Sequence, residues 1–205
     1  MAMRLRLGVF VSGGGTNLQS LIDNCRIPAF PAELVVVVSN KTGAYGLSRA
    51  EQAGIPSLCV PHRDFASRQE HEREILRQIQ PFGVDLVALA GYMRVVTPVL
   101  LAGLPGMVNI HPADTRAYQG AHGYEFAMGL LPEFPQRLEQ TYITVHYVDA
   151  GVDTGEIIKQ APVPILPEDS IDDLRARGLA VEHRLYPEVI RMVAERRLAL
   201  AEKVN

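Results

Sequence analysis

Asn109 and His111 stand two residues apart at the end of an apolar run, Met107-Val108-Asn109-Ile110-His111-Pro112. In an extended chain, side chains at i and i+2 point to one side. An amide and an imidazole therefore face the same volume. The amide can polarise a carbonyl, and the imidazole can move a proton near pH 7. Downstream lies Val152-Asp153-Thr154-Gly155, whose carboxylate could orient or charge the imidazole from across a site. Such a set can transfer an acyl group with no metal and no covalent enzyme intermediate.

A second constellation lies near the N-terminus. Val9-Phe10-Val11-Ser12-Gly13-Gly14-Gly15-Thr16-Asn17-Leu18 reads as strand, glycine-rich turn and helix. Glycines allow tight turns and close backbone approach, and the free N–H groups at a helix start favour an anion. The dinucleotide fingerprint needs a third glycine three residues after the second. Gly13 and Gly15 fit it, but the third position is Leu18, and Ser39-Asn40-Lys41 stands where a ribose-binding acid should follow the second strand. No Gly-Lys-Ser/Thr ends the loop. NAD and ATP are disfavoured, and a small phosphate ester remains.

These groups need a scaffold, and the chain supplies an alternating one. Leu5–Val11, Leu34–Ser39, Ser57–Val60, Val84–Ala90 and Met107–Ile110 read as strands, with helices over Thr16–Cys25, Ala44–Ala53 and Ser67–Gln80. The unbroken run Val35-Val36-Val37-Val38 marks a strand covered on both faces, hence a parallel sheet. The fold class expected is α/β: an open, mostly parallel twisted sheet with helices on both faces. Residues 112–140 read as a long loop with a helical part near Tyr124–Leu131. Tyr142–Val148 and Glu156–Pro164 read as strands, and Asp169 to about Leu200 as mostly helical. One domain of two lobes is expected, a phosphate-binding lobe over about 1–100 and a catalytic lobe over about 101–205.

Composition narrows the class. The 205 residues carry a net charge of −3, with 47% hydrophobic and 21% charged residues, ordinary for a globular protein. Nothing basic or polybasic points to nucleic acid or a membrane surface. The start lacks a signal-peptide pattern, and no stretch is long enough to span a membrane. With Cys25 and Cys59 as its two cysteines, the chain fits a reducing cytoplasm, and both are expected to be buried small hydrophobes. His62, His71, His122 and His183 show no metal-ligand spacing, and His71-Glu72-Arg73-Glu74 is expected to be a solvated helix face.

Five segments together resemble a known family: Ser12–Gln19, Ser39–Arg49, Ala90–Pro98, Asn109–Pro112 and Asp149–Ile158. In order and nearly throughout, they resemble the phosphoribosylglycinamide formyltransferase family, which implies formyl transfer from 10-formyltetrahydrofolate to the amine of glycinamide ribonucleotide in purine biosynthesis. The resemblance implies Asn109, His111 and Asp153 as catalytic residues. It implies substrate contacts at Gly14, Gly15, Thr16, Asn17, Arg68 and Glu182. Folate contacts fall on Met93, Arg94, Val95, Val96, His146, Asp149 and Val152. Small-molecule partners, no metal, a cytoplasmic location and a monomer or homodimer are expected. Asp153 is expected to raise the pKa of His111, which would stabilise the oxyanion in its protonated form. The chain departs from the family at Ala113-Asp114-Thr115-Arg116, where Ser-Leu-Leu-Pro is usual, and at Gln119, where a proline is usual. Within this chemistry, a formyltransferase for another small amine and a formyltetrahydrofolate hydrolase are the alternatives.

Overall fold

A computed structural model describes residues 3–202. The expectation about the N-terminal start falls partly on Met1 and Ala2, outside the described residues. The elements run β1 (Leu5–Val11), α1 (Thr16–Cys25), β2 (Ala32–Ser39), α2 (Tyr45–Gln52), β3 (Ser57–Cys59), α3 (Arg68–Ile79), β4 (Leu86–Leu89) and α4 (Pro98–Ala102). They continue with β5 (Met107–His111), α5 (Gly123–Ala127), β6 (Gln140–Tyr147), β7 (Ile157–Pro164) and α6 (Ile171–Glu202). The strands form one sheet in the order β3-β2-β1-β4-β5-β6-β7. Pairings from β3 to β5 are parallel, and those of β6 with β5 and β7 are antiparallel. This is the expected open, mostly parallel α/β sheet.

Alternation along the strands divides the core between the two faces. Val9, Val37, Ala88 and Val108 pack with Leu18, Leu21 and Tyr186 of α1 and α6. Phe10, Val38, Leu89 and Met107 pack with Ile75 and Leu100 of α3 and α4. Asn109 and His111 share the parity of Met107, so they continue the α3/α4 face past the end of its cover. The order of strands reverses between β1 and β4. A crevice must open at that switch point, outside the carboxyl ends of the strands.

Local chemistry sets several boundaries. Pro187 lies inside α6 and has no N–H to offer the carbonyl four residues back. That carbonyl, on His183, accepts instead from Ser20 Oγ at 2.5 Å, tying α6 to α1. The α5 helix ends earlier than the sequence pattern predicts. Gly129 has φ +68°, Leu130 N donates to Glu125 O and Gly129 N donates to Phe126 O, a Schellman stop that glycine permits.

Two sequence expectations fail on burial. His71 and Glu72 are not a solvated face: both are buried. His71 Nε2 meets Val60 O at 2.9 Å. Glu72 accepts from Thr97 N at 2.8 Å, Leu100 N at 3.2 Å and the Thr97 hydroxyl, so it anchors the start of α4. A charged sequence run conceals which of its members turn inward. The cysteines also differ from each other. Cys25 is buried, and burial pushes its thiol up to about 12, whereas Cys59 is exposed.

Candidate active site

The glycine loop takes its shape from α2. Gly13 O accepts from Gly46 N at 3.0 Å and Gly14 O from Arg49 Nε at 2.8 Å. In a trans peptide the next N–H points opposite to its carbonyl, so the amides of Gly14 and Gly15 turn away from α2. Gly15 has φ +69°, and a Cβ there would lie 2.8 Å from Gly46 Cα. No side chain caps α1, which leaves its first N–H groups for an anion. Ser12 braces the loop at the switch point. Its N–H donates to Gly91 O, its hydroxyl donates to Asn40 Oδ1 at 2.6 Å, and its own Oγ accepts from Met93 N at 2.8 Å. The sequence reading missed Ser12 and Asn40 as braces; a buried Ser beside a strand end carries no pattern of its own.

Beyond β4, a cavity of about 570 Å³ opens over the ends of β4 and β5. Met93, Arg94, Val95 and Val96 form one wall, and Asp149 and Val152 the facing one. Asn109, His146 and Asp153 lie on its floor, and the Gly120–Tyr124 segment closes an end. All seven residues expected at a folate therefore border one volume. Met93, Val95 and Val152 are exposed apolar side chains at its rim.

Asp153 is the hub of the floor. It sits at φ 53°, a left-handed conformation that Asp tolerates better than most residues. Its Oδ1 accepts from Asn109 Nδ2 at 3.0 Å and lies 3.3 Å from His146 Nε2. Its Oδ2 accepts from Gly120 N at 2.9 Å and lies 3.5 Å from His111 Nδ1. Asn109 Nδ2 also lies 3.3 Å from His146 Nε2, a long contact. His146 is thus part of the cluster around Asp153 as well as of the cavity lining. Its Nδ1 is held by Tyr147 O at 2.7 Å.

The charges settle in opposite senses on the two partners. Burial works against ionised Asp153, but the hydrogen bond from His146, the charge of His111 and the Gly120 N–H outweigh it and hold the carboxyl low. For His111 burial wins: it lowers the imidazole pKa more than Asp153 raises it, and His146 adds to the lowering. Asp153 does lift His111 as expected, but burial outweighs it, which corrects the expectation of a protonated His111. The reason is geometric. The carboxylate has close donors, whereas His111 is 5% exposed and its Nε2 is buried with no partner. At pH 7 His111 is a neutral imidazole. With its Nδ1–H towards Asp153, Nε2 offers a lone pair.

The expected substrate residues lie outside that cavity, on the side of β1 and α1. Asn17 and Glu182 meet there: Asn17 Nδ2 donates to Glu182 Oε2 at 2.5 Å, and Tyr124 donates to Glu182 Oε1 at 2.8 Å. Arg68 is exposed and donates to Val95 O at 3.4 Å, which places it beside the cavity lining. The departing residues Asp114 and Arg116 pair with each other and with Gln160 of β7; their side chains bond away from the Asp153 hub. Among the described residues, no cluster of three or more His, Cys, Asp or Glu is placed to hold a metal ion. Among the described residues, no helix is long and apolar enough to cross a membrane.

Comparisons agree with this architecture. The formyl transferase family matches residues 5–190. The phosphoribosylglycinamide formyltransferase of Haemophilus influenzae is 40% identical over 97% of the chain and 92% of its own length. The trifunctional purine biosynthetic protein adenosine-3 of Drosophila melanogaster is 43% identical over 98% of the chain, which spans only 15% of that protein. The crystal structure of glycinamide ribonucleotide transformylase 1 from Symbiobacterium toebii superposes with a TM-score of 0.88, at 43% identity, covering 95% of this chain and 89% of that one. The chain belongs to the formyl transferase family.

Proposed function

We propose that this protein transfers the formyl group of 10-formyltetrahydrofolate to the amine of glycinamide ribonucleotide, a step of purine biosynthesis. The observation that carries the reading is the presence of two unlike sites on one sheet: the glycine loop after β1, and a cavity floored by Asn109, His146 and Asp153, with His111 against Asp153. One cleft is a backbone anion cradle, and the other is an apolar-rimmed cavity with a size suited to a planar ring system. An enzyme that joins a phosphorylated amine to a folate needs both.

The glycines support the ligand side of this reading. A Cβ on Gly13 or Gly14 would meet nothing within 4 Å, and neither residue has the positive φ of Gly15. Folding does not require glycine at those two positions. Close approach of a ligand phosphate does. Gly14, Gly15, Thr16 and Asn17 hold that phosphate, with Arg68 as a mobile cation. Glu182 receives the glycinamide part. Met93 to Val96, with His146, Asp149 and Val152, line the slot for the pterin.

In the reaction the neutral amine attacks the formyl carbon. Asn109 keeps one N–H on Asp153 Oδ1 and turns the other to the developing oxyanion. His111 begins neutral, so it accepts a proton at Nε2, directly or through water, as the attacking nitrogen becomes cationic. The imidazolium so formed is stabilised by Asp153 across Nδ1 and adds its charge to the oxyanion site. When the bond from the formyl carbon to N10 breaks, that proton passes to N10. Formylated amide and tetrahydrofolate leave, and the protein returns to its starting charge. Holding the amine and formyl carbon together supplies much of the rate gain.

The test is an incubation of the protein with 10-formyltetrahydrofolate, with and without glycinamide ribonucleotide, read by mass spectrometry of both products. Tetrahydrofolate is expected only when the ribotide is present, in equal amount with its formylated form. Formate release that ignores the ribotide would establish a hydrolase instead.

A further inference from the structure

Between the glycine loop and the folate-side cavity lies a buried group of acceptors. Glu182 is 6% exposed, and among the described residues no cation forms an ion pair with it. An unpaired buried carboxylate is costly. The nearby Arg175 spends its guanidinium on Glu125 and Asp172. Asn17 must present its N–H₂ to Glu182, because a carboxylate can only accept. Its Oδ1 therefore faces the other way, and that atom is buried with no partner. Two of the carboxylate's roughly four lone-pair sites are filled, by Asn17 and Tyr124. The group lacks hydrogen-bond donors.

Tyr124 links this group to the other cleft. Its ring borders the folate-side cavity, and its hydroxyl is spent on Glu182. The α6 helix makes room for it: a Cβ on Gly178 would collide with the Tyr124 hydroxyl. Glycine is unfavourable within a helix, so a glycine facing this hydroxyl marks a position where the tyrosine must seat fully.

We propose that Tyr124 is a positioning residue for amine recognition: it fixes Glu182 so that the unfilled acceptors of Glu182 and Asn17 select a ribotide that brings N–H donors. The inference rests on the proposed function and goes beyond it, by assigning amine discrimination to a tyrosine in the wall of the opposite cleft. Folate and amine then share one side chain, with ring and hydroxyl serving different ligands.

The experiment is calorimetry on Tyr124→Phe with two ribotides, glycinamide ribonucleotide and its analogue in which hydrogen replaces the amino group. The phenyl ring preserves the cavity wall, so a 10-formyltetrahydrofolate analogue should bind within about twofold of wild type. Loss of one charge-assisted hydrogen bond should weaken the amine ribotide about tenfold, with the deamino ribotide within about twofold. Tyr124→Ala, which also removes the wall, should weaken the folate analogue as well. Equal weakening of both ribotides by Tyr124→Phe, or none, overturns the proposal. Failure of wild type to bind either ribotide overturns it together with the proposed function. Ribotide binding without turnover overturns the proposed function alone.

Discussion

The two clefts are built from different materials. The anion cradle at β1 is main chain, shaped by carbonyls that α2 holds from behind and by one left-handed glycine. The floor at β5 is side chains, converging on Asp153 from β5, β6 and two loops. A main-chain site is fixed as soon as the turn forms. A side-chain site depends on groups far apart in sequence finding each other, and on which of them keep their protons. The two should therefore fail differently when altered.

The largest effect belongs to the floor. Asn109→Ala and His111→Ala are expected to lower single-turnover formyl transfer by a factor of about 10² to 10³ or more. Calorimetric affinity for the ribotide should change little, because the cradle stands apart. Stopped-flow mixing of preformed binary complex with the formyl donor measures this. Near wild-type turnover in either variant would remove that residue from the chemistry.

Within the cradle, glycines of two kinds should separate. Gly15→Ala forces a side chain into a left-handed backbone and against Gly46, so it should destabilise the fold by at least about 1–2 kcal/mol. Gly14→Ala meets nothing in the protein; its melting curve should match wild type while the ribotide KM rises. Denaturant melts paired with KM values check both. A Gly15→Ala protein as stable as wild type would refute the account of the turn.

Burial and anchoring predict a third effect. Glu72→Gln keeps the shape but removes the charge that holds the Thr97 and Leu100 amides. It should cost roughly 1–3 kcal/mol of stability, and weaken the folate analogue more than the ribotide, since Thr97 follows the Met93–Val96 wall. Urea melts and the two affinities test this.

The smallest effect is a shift along the pH axis. His111 ionises below its ordinary value, so turnover that needs the neutral imidazole is present above that value and is lost as pH falls through it. Stability follows the same sign: the unfolded chain binds the proton more readily, so folding weakens as pH falls below the unfolded pKa. Asp153 is the main influence raising the His111 pKa. In Asp153→Asn the residual activity should therefore keep its acid limb to lower pH than wild type. A limb that moves upward would contradict the assigned charges.

The sequence made some of this visible and hid the rest for physical reasons. Strand periodicity exposed β1, β2, β4 and β5, and i, i+2 spacing put Asn109 and His111 on one side, because both signals are local. The seven expected folate contacts all border one cavity. Proton balance was not legible: the pull of Asp153 on His111 can be guessed from residue types, but the burial that exceeds it comes from the whole fold. The inward turn of His71 and Glu72 was hidden in the same way, since a charged run looks solvated until α4 packs upon it. Tyr124 escaped notice because its partner, Glu182, lies far along the chain.

The central claim is that the two clefts open onto the same three side chains, and a joined ligand tests it most directly. A stable adduct linking glycinamide ribonucleotide through its amine to the N10 side of a folate should occupy both clefts at once. Its affinity for wild type is expected to exceed that of either half by more than ~10³, because the second half binds from an effective concentration set by the link. An adduct that binds no tighter than its better half would show that the clefts do not meet at Asn109, His111 and Asp153.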